Sequence, residues 1–172
     1  LIEWLATDEE QNTTERLGMY TLSLNIDKAE IYDGEKLENV NGVLSFDGLV
    51  WTNINREARL DGAKKLKVVL IPKEGKRYLN VESNDAGSLL KVFDYYDNLI
   101  GGKFALRGEY NGMSPDSEFA GHVRIDDFRV INAPILAELL NVASITGILE
   151  NLQGIGLGFA KLYAPFVSKD EI

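Results

Sequence analysis

The stretch Tyr20-Thr21-Leu22-Ser23-Leu24-Asn25-Ile26 decides the fold. Large apolar side chains take every second position and small polar ones the positions between, the period of a strand with one buried face. A helix over the same residues would scatter Leu22, Leu24 and Ile26 around its circumference. Toward the C-terminus similar runs follow at 28–32, 43–46 with 49–52, 56–60, 65–71 and 78–82. They are separated by Asp33-Gly34, Asn41-Gly42, Asp47-Gly48, Asp61-Gly62 and Lys73-Glu74-Gly75. Asp-Gly and Asn-Gly supply the positive φ of tight hairpins, so each pair predicts a turn between antiparallel neighbours. Toward the N-terminus the pattern stops. Leu1, Ile2, Trp4 and Leu5 are apolar and a polar stretch runs from Asp8 to Arg16, which makes residues 1–18 an N-terminal arm and 19–172 the domain.

The alternation breaks at Ser83-Asn84-Asp85-Ala86-Gly87, where Ser83 or Asp85 can cap a helix near 85–97 carrying Leu89, Leu90, Val92, Phe93 and Tyr96. Gly101-Gly102 closes the irregular stretch. Phe104, Leu106, Gly108 and Tyr110 then alternate with Lys103, Ala105, Arg107 and Glu109, and after a loop at 111–116 so do Phe119, Gly121, Val123 and Ile125. Phe128 and Val130 fall on the other parity, a phase change that predicts a bulge near Asp126-Asp127. Two apolar helices are expected next. Asn132 caps the first (133–141), with Pro134 in its first turn and Ile135, Leu136, Leu139 and Leu140 as its stripe. The second (144–153) starts at Ser144, carries Ile145, Ile148, Leu149 and Leu152, and stops at Gly154. Ile155, Leu157 and Phe159 then alternate with Gly154, Gly156 and Gly158. This is a strand whose glycine face is expected against something close, such as the two helices. The fold class is mainly β with a few short helices (α+β): a curled, largely antiparallel meander sheet with amphipathic helices packed on its inner face.

Of 172 residues, 45% are hydrophobic and the net charge is -9. Such a surface repels phosphate backbones, so no nucleic-acid partner is expected. The absence of cysteine removes disulfides, thiolate zinc sites and thiol nucleophiles. The sole histidine, His122, has no ligand-spaced partner and no Gly-x-Ser-x-Gly elbow to serve, so it reads as a surface or partly packed strand residue. Asp126-Asp127 and Asp94 with Asp97 are the best carboxylate pairs. Adjacent strand residues point to opposite faces, and Asp94 and Asp97 lie one helical turn apart at a helix end. Neither glycine run follows a strand and opens a helix, as a phosphate cradle requires. No catalytic residue, metal or cofactor is expected.

Two segments carry a family resemblance. The first is Glu82-Ser83-Asn84-Asp85-Ala86-Gly87-Ser88-Leu89-Leu90, continued by Tyr96-Asp97-Asn98-Leu99-Ile100-Gly101-Gly102. The second is Asp127-Phe128-Arg129-Val130-Ile131-Asn132-Ala133-Pro134-Ile135-Leu136, then Ala143-Ser144-Ile145-Thr146-Gly147-Ile148-Leu149, closed by Gly154-Ile155-Gly156-Leu157-Gly158-Phe159. In order and separation they resemble the AsmA-like C-terminal region of bacterial envelope proteins of the AsmA, YhdP and TamB type.

The resemblance spans roughly residues 20–166 and is strongest after residue 80. It implies the periplasmic part of an inner-membrane-anchored protein whose anchor helix lies outside this chain. Its function would be phospholipid transport between the inner and outer membranes and maintenance of the outer-membrane barrier. The family offers no catalytic residues to carry over.

The partners implied are phospholipid acyl chains and envelope proteins. Candidate groove walls are Leu22, Leu24, Ile26, Trp51, Phe104 and Leu106. The helices bearing Leu136, Leu139, Leu140, Ile145, Ile148, Leu149 and Leu152 would fill the groove or close its end. Two other readings stay open: a structural or assembly domain that binds protein and no lipid, and a hydrolase using Asp126 or Asp127.

Overall fold

The computed structural model describes residues 18–32, 34–60, 62–131 and 156–168. The arm at 1–17 and both expected helices, 133–141 and 144–153, lie outside the described residues. The described chain forms one eight-stranded sheet whose spatial order is its sequence order, every neighbouring pair antiparallel. The strands are β1 Tyr20–Tyr32, β2 Glu35–Phe46, β3 Trp51–Arg59, β4 Lys65–Lys73, β5 Lys76–Ser83, β6 Leu99–Tyr110, β7 Phe119–Val130 and β8 Leu157–Ser168. One helix, α1 (Ala86–Val92), interrupts the meander between β5 and β6.

The turn chemistry holds at four of the five expected sites, described in whole or in part; at one of them Gly62 takes φ 59 between β3 and β4, with the Leu60 N–H donating to Lys64 O at 2.9 Å. Tyr32 pairs with Glu35 across position 34, and Asp47-Gly48 joins β2 to β3. Glu74 and Gly75 both take positive φ between paired Lys73 and Lys76. Asn41-Gly42 is not a turn. It lies inside β2, where Asn41 pairs with Asn25 and Gly42 with Leu24. An irregularity does occur nearby: between Glu38 and Asn41 the β2–β3 register shifts by one, with Asn39 at φ 49. This bulge lets Leu37 and Val40, of opposite parity, join one apolar cluster.

The phase change in β7 is real but has another cause. Ile125 and Phe128 are both buried, yet the register against β6 and β8 is unbroken across them. No residue is inserted. Asp127 adopts φ 54 and Gly102, the residue opposite, φ 86, so both strands kink together and the ladder stays in step. Gly101-Gly102 therefore belongs to β6 instead of ending a loop.

Asp85, not Ser83, caps α1: its Oδ1 accepts the Ser88 N–H at 2.8 Å. Ser83 braces the cap, its Oγ accepting the Asp85 N–H at 3.1 Å. The helix ends at Val92, earlier than its apolar spacing predicts, with Phe93 as C-cap and Asp94 at φ 55. Asp94 and Asp97 are thus not a helical pair, and Tyr95 is 80% exposed. Leu89 and Val92 of α1 pack on Leu37, Ala58, Leu60 and Leu66 of the sheet, and Lys91 donates to Glu35 of β2. In β8 the strand runs on to Ser168 through Pro165, which an outermost strand tolerates because one side makes no ladder bonds to a further strand of this sheet. A Cβ built on Gly158 would meet nothing within 4 Å, whereas one on Gly156 would lie 2.6 Å from Ile131 Cγ2 and 2.7 Å from the Val130 carbonyl oxygen, so the close neighbour expected of these glycines is found at Gly156, and the two helices lie outside the described residues.

At one end of the sheet Arg77 holds three segments together. Nε donates to Gly112 O (3.2 Å), Nη1 to Trp51 O (3.3 Å) and Nη2 to Ser114 O (3.1 Å), while the guanidinium sits 4.3 Å from the Tyr110 ring centre. Arg77→Ala is expected to cost roughly 2–4 kcal/mol in urea denaturation. Arg77→Lys should recover little of it, because one ammonium cannot span three carbonyls. Full recovery by lysine would refute this account. Near by, Asp47 Oδ1 accepts the N–H groups of Val50 and Leu49, both at 2.9 Å. These bonds, the Val50 bond first, hold the Asp47 carboxyl below the ordinary carboxylate range. A folded-state pKa below the unfolded one stabilises above the unfolded value and is lost as pH falls through the folded value. Asp47→Asn should therefore flatten the acid limb of stability below about pH 4; an unchanged limb would exclude Asp47 as a contributor.

Candidate functional site: an apolar sheet face

The register lines up residues from all eight strands into rows. One row is Leu22, Leu44, Ile54, Leu70, Leu79, Gly108, Gly121 and Phe166. The next on the same face is Leu24, Gly42, Arg56, Val68, Val81, Leu106, Val123 and Ala164. Between them, on the other face, run Ser23, Val43, Asn55, Val69, Asn80, Arg107, His122 and Pro165. Strict alternation thus produces one apolar face and one mainly polar face. Seven steps between strands about 4.8 Å apart give each row a length of roughly 34 Å along the sheet.

All six candidate wall residues in the strands fall on the apolar face. Leu22, Leu24 and Ile26 lie side by side on β1, 42%, 37% and 36% exposed. Leu106 sits in the second row, and Phe104 pairs with Ile125 and packs against the α1 end of the face. Trp51 closes an aromatic group with Phe46 (5.4 Å between ring centres) and Tyr20 (6.0 Å). A second aromatic group, Tyr110, Phe119 and Phe166, stands on β6 to β8. The remaining candidates, Leu136, Leu139, Leu140, Ile145, Ile148, Leu149 and Leu152, lie outside the described residues.

Sequence reading missed two buried charges in this surface: Arg77, stacked on Tyr110 at the aromatic end, and Arg56 in the second row. Arg56 is 9% exposed and shares the parity of Ile54 and Ala58. That parity was the available signal: an arginine on the apolar positions of a strand must bury its head. Nη1 donates to Gly42 O at 2.5 Å, and Nη2 has no hydrogen-bond partner among the described residues. Burial pulls the guanidinium pKa down.

The polar face carries His122 and Asp126. His122 is half-buried there with its ring 5.1 Å from that of Tyr163. Arg124 Nε donates to Asp126 Oδ2 at 2.6 Å, and this bond raises the Arg124 pKa. Asp127 is exposed at its kink. Among the described residues no group of three or more His, Asp or Glu is placed to hold a metal ion, and no helix is long and apolar enough to cross a membrane. Comparison of the chain with protein-family models, with curated proteins and with solved structures finds no match in any of the three.

Proposed function

We propose that this chain is a non-catalytic, periplasmic module of an AsmA-like bacterial envelope protein, whose curled sheet shields phospholipid acyl chains in transit between the two membranes. The observation that carries the reading is the pair of register rows: across eight strands they are apolar but for Arg56 and glycines, and their β1 end is exposed. Each methylene removed from water is worth about 0.8 kcal/mol, so a continuous apolar row holds a chain without any single deep pocket. An exposed apolar surface of this kind marks a binding site more often than chance. The full chain purified without detergent is expected to carry phospholipid detectable by mass spectrometry of its lipid extract. A lipid-free extract, with no uptake from added vesicles, would sink the reading.

α1 favours a second reading in part. At its end of the sheet the chain covers its own apolar face with Leu89 and Val92. If the whole face is filled in this way, the domain is structural, its rim serves protein contacts, and the same extract is empty.

A further inference from the structure

The polar face carries a local surplus of positive charge in a chain whose net charge is -9. Elsewhere the sheet sets opposite charges across neighbouring strands: Lys28 on Glu38 (3.6 Å), Lys67 on Glu57 (3.2 Å) and Lys76 on Glu109 (2.7 Å). Strands β6 to β8 depart from that rule. Lys103 and Lys161 flank the same carboxylate, Asp126, from its two sides, and that carboxylate already accepts from Arg124 Nε at 2.6 Å. Arg107 stands between Asn80 and His122, neither of which is an anion. Among the described residues no hydrogen bond or ion pair satisfies Lys103, Arg107 or Lys161. These three cations, Arg124 and Asp126 line one open cavity of about 270 Å³, a surplus of three positive charges with His122 neutral. Tyr163 forms its wall on β8.

We propose that this cavity binds a phosphomonoester dianion, free in solution or as the headgroup of a lipid whose acyl chains stay in a bilayer. The site lies on the face opposite the acyl-chain surface and does not depend on that reading. All four cations are exposed, so a ligand reaches them without the sheet opening. Arg107 brings a whole guanidinium fork and Arg124 the terminal nitrogens that its bond to Asp126 leaves over, groups whose geometry grips two phosphate oxygens at once. The lysines add point charges. A surplus of three charges suits a dianion and attracts a singly charged carboxylate or phosphodiester less strongly. Size points the same way. From β6 to β8 the patch spans two strand steps, about 10 Å, and from Lys103 to Arg107 four residues, about 13 Å. That is room for one ester, not for the run of phosphates on which nucleic-acid binding depends.

The test is calorimetric titration of the full chain near pH 8 in about 50 mM salt, where a monoester (second pKa about 6) is a dianion and screening is modest. The probes are glycerol 3-phosphate, dimethyl phosphate, and phosphatidylcholine vesicles with and without phosphatidic acid. A monoester probe is expected to bind about tenfold tighter than its control, the diester or the plain vesicle. Binding of glycerol 3-phosphate alone supports the site with a soluble ligand, and binding of phosphatidic acid vesicles alone supports it with a bilayer headgroup. Arg107→Gln with Lys161→Gln should lower the affinity about tenfold at an unchanged melting temperature, because both side chains are exposed and unpaired among the described residues. Lys28→Gln with Lys73→Gln removes the same two charges elsewhere and should leave the affinity within about twofold. Binding of neither monoester, equal binding of monoester and control, or equal loss in both doubles overturns the proposal. None of these outcomes bears on lipid at the apolar face, which the extract tests.

Discussion

Gly42→Ala is expected to lower the unfolding free energy by about 3–5 kcal/mol, a large share of the 5–15 kcal/mol typical of a domain. Two effects add at this position. Gly42 holds φ 142, which an L side chain rarely adopts, and that strain alone is worth about 1–3 kcal/mol. In addition, a Cβ there would lie 1.9 Å from the Asn55 carbonyl oxygen and 2.9 Å from its carbon. The obstacle is backbone, which no rotamer change relieves. β2 is paired on both sides, to β1 through Leu24 and to β3 through Arg56, so it cannot give way without breaking a ladder. Gly34→Ala separates the two effects. Gly34 has φ 77 with nothing within 4 Å of its Cβ position, so only strain remains and a cost of about 1–2 kcal/mol follows. Equal midpoints for the two variants in urea would mean that the close approach of β2 and β3 does not exist.

That glycine also shows where sequence reading stops. Asn-Gly signals positive φ, and positive φ is what the structure has at Gly42; the dipeptide does not say whether the chain reverses there or continues past a close neighbour. The decision belongs to pairing over longer range: Leu24 and Arg56 fix Gly42 as strand from either side. Where local chemistry and long-range pairing agree, the reading holds. The alternation of Leu22, Leu24 and Ile26, the Lys73-Glu74-Gly75 turn and the meander order of the strands were all legible, and the helix cap was legible as Ser83 or Asp85. The kink at Asp127 was legible as a change of phase, but its mechanism depends on Gly102, 25 residues away in sequence and opposite in space. Most of the apolar face was legible because parity is a local property. Arg56 was passed over because an arginine in a strand ordinarily faces water, and only the shared parity with Ile54 and Ala58 argues otherwise.

The double substitution Leu22→Asp with Leu24→Asp is expected to cut the phospholipid recovered per chain at least tenfold while leaving the fold intact. Both side chains are more than one-third exposed, so their loss should cost the fold little, about 1 kcal/mol together. For an acyl chain the same change is severe. It removes methylene contacts worth about 0.8 kcal/mol each and sets two carboxylates, which resist dehydration, into adjacent rows. The control is Thr21→Asp with Ser23→Asp, which adds the same two charges to the same strand on the opposite face. Lipid recovery should not change in that variant. Equal losses in both doubles would trace the effect to charge or to damage of β1, and no loss in the leucine pair would remove this end of the face from any lipid path. Leu66→Asp cannot serve as the probe, because Leu66 is 6% exposed in the cluster with Leu89 and Val92 and its replacement should unfold the α1 end. The β1 end is therefore where lipid binding and stability can be separated, because there the face is apolar and exposed together.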